Sequence, residues 1–79
     1  MVTIVASWDR LTGESRIHMV LEKGQESDEA RRARARAKVD ELSADLDMER
    51  FEIIYSIARS VDDFRSTDPR FYQAQVQTS

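Results

Sequence analysis

The chain has 79 residues, with 12 Lys and Arg against 15 Asp and Glu, which gives a net charge of −3 at pH 7, and it contains no cysteine. The lack of cysteine excludes a disulfide framework, a thiolate nucleophile and a zinc site with cysteine ligands. The length lies below the usual domain size of about 100–150 residues, so we expect one domain over residues 1–79. The longest apolar runs hold only a few residues, far fewer than the roughly 20 of a membrane-spanning helix.

The composition is typical of a folded protein, since 41% of the residues are hydrophobic and 34% are charged. No secretory leader precedes the first strand-like segment, so we expect an intracellular, cytoplasmic protein. A domain of this size has a small core and a narrow margin of stability, which a partner or a second copy often increases. A homodimer is therefore one expectation from size alone.

The first part of the chain predicts a β-hairpin over residues 2–23. Apolar residues alternate along the first strand, and Thr12-Gly13 then provides a turn signal. The second strand alternates again, which predicts His18 as an exposed residue of the outer face. The residues predicted to share the inner face are Val2, Ile4, Ala6 and Trp8 on the first strand, and Ile17, Met19 and Leu21 on the second.

A long helix is predicted over residues 27–46. Ser27 has the character of an N-cap, Asp28 and Glu29 follow in the first turn, and neither Gly nor Pro occurs up to Leu46. One apolar stripe at helical spacing is predicted to cover the apolar face of the hairpin. The stripe consists of Ala35, Val39, Leu42 and Leu46.

The segment 51–61 can be read with either period. Alternation groups Phe51, Ile53, Tyr55, Ile57 and Val61, whereas a helix would group Phe51, Ile54, Ala58 and Val61. Enrichment in β-branched and aromatic residues favours a third strand.

A right-handed crossover through the long helix would place the third strand beside the first, in the order 2-1-3. Beyond it, Pro69 preceded by Asp68 predicts a short C-terminal helix over residues 68–75. The predicted fold class is therefore α+β: a small ββαβ(α) domain whose three-stranded sheet is covered by one long helix.

The long helix carries an unusual charge pattern. Five basic residues lie in its first half, and acidic residues dominate from residue 40 to residue 52, which opposes the helix dipole. Such an inconsistency with local rules is a place where function can lie. The candidate partner-binding residues are Arg31, Arg32, Arg34, Arg36 and Lys38 in the basic half, and Asp45, Asp47, Glu49 and Glu52 in the acidic half.

Three interpretations of this pattern remain open. A solvated face would contain pairs such as Arg36–Asp40 and Lys38–Glu41. A nucleic-acid interface would use the basic residues on phosphates, although Arg32 and Arg36 project on the other side of the helix from the remaining three. A protein interface would use the alanines opposite the core stripe as a close-approach face, and two antiparallel copies would match basic halves to acidic halves. These alanines are Ala30, Ala33, Ala37 and Ala44.

Catalytic patterns are sparse in the sequence. His18 is the single histidine, and neither Ser7 nor Ser15 can be assembled with it and an identifiable acid into a triad. The pairs Asp62-Asp63 and Asp45-Asp47 are more typical of solvated turns than of metal sites. We therefore expect no enzyme, no cofactor and no metal.

The function favoured by the sequence is that of a non-enzymatic protein-binding module that occupies a partner's surface. Small mobile-element or phage-type inhibitors of host machinery, such as anti-CRISPR proteins, share this size and composition, although no motif carries the association. The alternative is a nucleic-acid-binding accessory domain that uses the basic half of the long helix.

Overall fold

The computed structural model describes residues 1–24 and 26–76. Its main elements are the strands β1 (Val2–Asp9) and β2 (Ser15–Glu22), the helix α1 (Asp28–Asp45), the strand β3 (Phe51–Ala58), the helix α2 (Val61–Thr67), a 3-10 turn (Pro69–Phe71) and the strand β4 (Gln75–Val76). The strands form one sheet in the order β3-β1-β2-β4. The fold is a mixed α+β arrangement in which β1 lies at the centre of the sheet.

The sheet has four strands, whereas the sequence predicted three. β1 pairs antiparallel with both β2 and β3, so the predicted order 2-1-3 holds for these strands. The additional strand β4 pairs parallel with β2, with Gln75 opposite Arg16 and Val76 opposite Ile17. A two-residue strand of this kind follows from tertiary placement, because so short a segment carries no periodicity.

The helix predicted over residues 68–75 begins as expected but is a 3-10 helix of only three residues, Pro69–Phe71. Asp68 accepts a hydrogen bond from the Arg70 backbone N–H at 3.1 Å and Pro69 begins a turn, as a helix start requires. The turn ends at Phe71, which is fully buried, and the chain then extends into β4. Burial of Phe71 against the sheet decides where this segment stops.

The predicted strand over residues 51–61 ends early, at Ala58. The Ser60 side chain accepts from the Asp63 backbone N–H at 3.0 Å and thereby caps α2. Asp62 and Asp63 occupy the first turn of α2, where the helix dipole favours carboxylates. This N-terminal signal is present in the sequence, and the interpretation of the two aspartates as a solvated turn missed it.

Both faces of the sheet are covered, and the long helix covers the face opposite to the expected one. The predicted stripe of α1 packs on Val5 and Leu21. The other face, which holds Ile4 and Ala6, packs against Phe64 of α2 and against Phe71. The prediction that α1 covers the face of Ile4 is wrong because Phe64 and Phe71 of the C-terminal segment cover that face instead. The sequence pattern of this segment does not indicate such a role.

A β-bulge in β2 explains why the alternation of that strand misled the prediction. Val5 lies opposite Met19 and Ala6 opposite Ile17, so His18 is an additional residue between the two pairs. Ile17 therefore belongs to the cluster around Ile4, whereas Met19 packs with the cluster under α1. The three residues expected on one inner face are divided between two.

An ion pair joins the end of β1 to the start of β3. The Asp9 carboxylate accepts from Arg50 Nε at 3.0 Å and from Arg50 Nη2 at 2.8 Å. It also accepts from the Leu11 backbone N–H at 2.9 Å, which shapes the hairpin turn. Asp9 is only 4% exposed. The Arg50 hydrogen bonds hold the pKa of the Asp9 carboxyl well below its ordinary value, against the opposing effect of desolvation.

This lowered pKa predicts an acid-dependent loss of stability. The ionised Asp9 stabilises the fold fully above its unfolded pKa of about 3.9, and this contribution declines as the pH falls toward the lower folded pKa. Asp9→Asn should lower the Tm at pH 7, and its difference from the wild type should shrink below about pH 4. Thermal unfolding followed by circular dichroism from pH 3 to 7 tests this. The exposed Glu22→Gln serves as the control, and an equal Tm for Asp9→Asn and wild type at pH 7 would contradict it.

Candidate partner-binding surface

A groove of about 550 Å³ lies between α1 and the outer strand β3. Tyr55 forms its floor because it pairs with Val5, whose side chain faces α1. Ile57 continues the same face of β3 two residues further on, opposite Thr3. The groove is lined by Arg32, Ala33, Arg36, Val39, Asp40 and Tyr55. Together with Ile57 these residues define the α1–β3 surface.

The helix is too narrow to cover the whole of this sheet face. α1 contacts β1, β3 and β2, and its packed residues meet Ile53 on β3. Further along β3, the Tyr55 side chain remains 41% exposed and that of Ile57 57% exposed. An aromatic and a branched aliphatic side chain are therefore in contact with solvent beside a groove.

β3 is also an edge strand of the sheet. It pairs with β1 on one side, and no strand in the described ranges 1–24 and 26–76 pairs with its other side. It is eight residues long, has no proline, and has Glu52 as its single charged residue. Native sheets commonly protect such edges with charges, prolines or bulges, because unpaired backbone groups attract another strand.

The basic half of α1 divides into two sets. Arg34 pairs with Glu26 at 2.6 Å, Lys38 pairs with Glu41 at 3.3 Å, and Arg31 pairs with Asp28. Arg32 and Arg36 make no ion pair within the described part of the chain, and both line the groove. The expected Arg36–Asp40 pair is absent from the same residues. Two free guanidinium groups therefore stand above Tyr55.

The acidic candidates do not form one patch. Asp45 is exposed at the end of α1, and the Asp47 carboxylate accepts from the Glu49 backbone N–H at 3.0 Å in the following turn. Glu52 pairs with Arg70, which lies on the other side of β3 over the Trp8 ring. The structure thus keeps Asp47 and Glu49 together in a cleft beside Arg50, and it places Glu52 on the other side of β3 from the α1–β3 surface.

His18 is half-buried and faces α1, which corrects the expectation that it is exposed. Its Nε2 lies 2.7 Å from the Ser7 hydroxyl oxygen. Both residues line a cleft of about 210 Å³ that also contains Asp9 and Arg50. Asp9 is bound to Arg50, and no carboxylate among the described residues hydrogen-bonds to the imidazole. Ser7 itself is only 4% exposed, so the pair resembles a structural contact more than a nucleophile and its base.

The surroundings of His18 lower its pKa. Burial is the largest cause, and the positive charges of Lys38 and Arg16 add to it. The pKa of His18 should therefore fall below 6.5 in an NMR titration, and Lys38→Gln should raise it. Lys23→Gln, on the exposed end of the hairpin, should leave the midpoint unchanged. A midpoint above 6.5, or equal midpoints in wild type and Lys38→Gln, would contradict this assignment of cause.

Residues 1–24 and 26–76 contain neither a candidate metal site nor a membrane-spanning helix. No group of three or more His, Asp or Glu side chains there could hold a metal ion. No helix in the same part of the chain has the length and apolar character needed to cross a membrane. No protein-family model matches the sequence, and neither a curated protein nor a solved structure shows significant similarity to the chain.

Sequence reasoning named Arg32 and Arg36 but missed Tyr55 and Ile57 as surface residues. The alternation of β3 suggested that both face the core, since they share a side with Ile53. Their exposure follows from the edge position of β3 combined with a single covering helix. The predicted strand order 2-1-3 already placed β3 at an edge of the sheet, but it did not show that one helix leaves Tyr55 and Ile57 exposed.

Proposed function

We propose that this protein is a non-enzymatic protein-binding module and that the α1–β3 surface is its contact surface. The observation that carries the proposal is an edge strand, unpaired on one side within the described residues, whose exposed Tyr55 shares a groove with Arg32 and Arg36 and whose exposed Ile57 lies two residues further on. Neither arginine has an ion-pair partner in the same part of the chain. The module would act by occupying a matching surface of its partner. Inhibitors of host machinery encoded by mobile elements or phages work in this way, and that role remains the class we favour.

The residue types of this surface suit protein recognition. Tyr and Arg are enriched among the residues that dominate interface energies, because they combine a large apolar area with hydrogen-bond donors. Burial of the Tyr55 and Ile57 side chains would contribute about 25 cal/mol for each Å² of apolar area removed from water. The open edge of β3 supplies backbone donors and acceptors for an added strand.

The ion pairs of α1 count against the nucleic-acid alternative. A phosphate-binding helix presents its cations to the ligand, whereas Arg31, Arg34 and Lys38 are each paired with a neighbouring acid. Of the five cations in the basic half of α1, only Arg32 and Arg36 lack an ion-pair partner among the described residues, and the net charge of the protein is −3. We therefore retain protein binding as the proposal.

Affinity capture with a charge-reversed variant tests the proposed function. The tagged protein should retain a stoichiometric protein from a nuclease-treated lysate of its source or host, and Arg32→Glu/Arg36→Glu should reduce this retention at least tenfold. The control Arg16→Glu/Lys23→Glu makes the same change in net charge at exposed residues of the hairpin. Retention that is equal in the two variants, or that disappears with nuclease treatment, would overturn the proposal. Circular dichroism confirms that each variant is folded.

A further inference from the structure

The outer edge of β3 carries backbone donors and acceptors that could pair with another strand. In the described part of the chain, no strand pairs with this edge and no loop backbone group hydrogen-bonds to residues 52–58. Neither a proline nor a bulge interrupts β3, and Glu52 is held by Arg70 on the opposite face from Tyr55. An edge of this length and apolar character attracts a second strand of compatible pattern.

Resting on the protein-binding function proposed above, we infer that the occupant of the α1–β3 surface is a second copy of this chain. The two β3 strands pair antiparallel about a two-fold axis at Tyr55, and the two sheets become one continuous sheet. A partner of another kind would have to compete with the second copy for the same edge.

The sequence of β3 is compatible with this self-pairing. In a continuous antiparallel sheet, residues that lie opposite one another must point to the same face, so a two-fold axis has to pass through a residue. An axis at Tyr55 sets Tyr55 opposite its own copy and the exposed Ile57 opposite Ile53. The same register sets Glu52 opposite Ala58, so no like charges meet within the strand. The apolar side chains left exposed in one copy are buried by the other.

The two helices would also come close together. Strands in a sheet are about 4.8 Å apart, so β1 and its copy would be three spacings, or about 14 Å, apart. α1 contacts both β1 and β3, so its axis lies over β1 or between β1 and β3. The distance between the two helix axes would therefore be at most about 14 Å and at least the roughly 8–10 Å of packed helices. Ala33 offers little bulk at this contact.

Charge complementarity supports the second copy as the occupant. Tyr55 lies beneath residues 32–40 of α1, so an axis at Tyr55 passes beside Arg36. The antiparallel arrangement then sets Arg32 of each copy opposite Asp40 of the other. Arg32 and Asp40 make no ion pair within residues 1–24 and 26–76 of a single copy. The two Arg36 side chains, each exposed in a single copy, meet at the axis, where their repulsion opposes the two Arg32–Asp40 pairs.

Light scattering over protein concentrations from 10 to 200 µM measures the mass in solution. We expect about twice the 9.2 kDa of one chain, and a return to a single chain for Ile57→Asp. Leu11→Asp is the matched control, because Leu11 is 75% exposed in the hairpin turn beyond the Phe51 end of β3, whereas Ile57 lies near the other end of that strand. A wild-type protein with the mass of one chain at every concentration overturns the inference, as does a dimer that Ile57→Asp leaves intact.

A charge swap tests the arrangement of the helices. Arg32→Glu should weaken the dimer at least tenfold, since it places a carboxylate opposite Asp40, and adding Asp40→Arg should restore it. Failure of the swap to restore the dimer overturns the antiparallel arrangement. If the wild type is monomeric but still retains a lysate protein through Arg32 and Arg36, only the second copy is ruled out. A monomer that retains nothing overturns the proposed function as well.

Because the chain has no cysteine, an introduced thiol reports the register directly. Residues directly opposite on antiparallel strands have Cβ atoms about 4.5–5.5 Å apart, so a small approach of the strands reaches the roughly 3.5–4.5 Å of a disulfide. Tyr55→Cys should therefore form a disulfide-linked dimer under mild oxidation. Ile57→Cys should not, because residue 57 lies opposite residue 53 of the other copy and is thus four residues away from the second residue 57. Efficient crosslinking of Ile57→Cys with none of Tyr55→Cys would overturn the register.

Discussion

The central strand β1 must be buried on both of its faces, and this requirement organises the rest of the molecule. Ile4 and Val5 point to opposite sides and are both fully buried. One cover is α1, and the other is the C-terminal segment that carries Phe64 and Phe71. No third cover lies within residues 1–24 and 26–76: Tyr55 and Ile57 remain exposed on one face of β3, and no strand pairs with its outer edge. The candidate binding surface thus includes the part of β3 that α1 leaves uncovered.

The elements that were predictable from the sequence carry their own local signals. Ser27 accepts from the Ala30 backbone N–H and begins α1, and the stripe around Leu42 packs as its spacing requires. The strand order 2-1-3 agrees with a crossover through α1 that joins the parallel strands β2 and β3 on either side of β1. The bulge at His18 was not predictable, because one strand's alternation contains no information about the register with its neighbour. The choice of face for α1 was equally hidden, since it depends on where Phe71 packs.

The candidate site was predictable only where it depends on spacing within one helix. Angular spacing along a helix sets Arg32 and Arg36 apart from Arg34, and the structure has them on the groove side. The pairing of Arg34 with Glu26 depends on the path of the chain before the helix, which spacing within the helix does not describe. Exposure of Tyr55 depends on the width of one helix relative to three strands, a property of the assembled layers.

The ion pair between Asp9 and Arg50 also bears on the order in which the molecule assembles. Its two residues are 41 positions apart, whereas β1 and β2 are joined by a short turn. The hairpin can therefore close early through local contacts, but β3 can dock only after the loop containing α1 has closed, and loop closure carries an entropic cost. Until β3 docks, the backbone groups on the edge of β1 that later pairs with β3 have no partner strand. β3, whose outer edge pairs with no strand of the described residues, thus joins β1 only after the hairpin has formed, so its backbone groups and apolar side chains stay open to other chains for longer than those of β1 and β2.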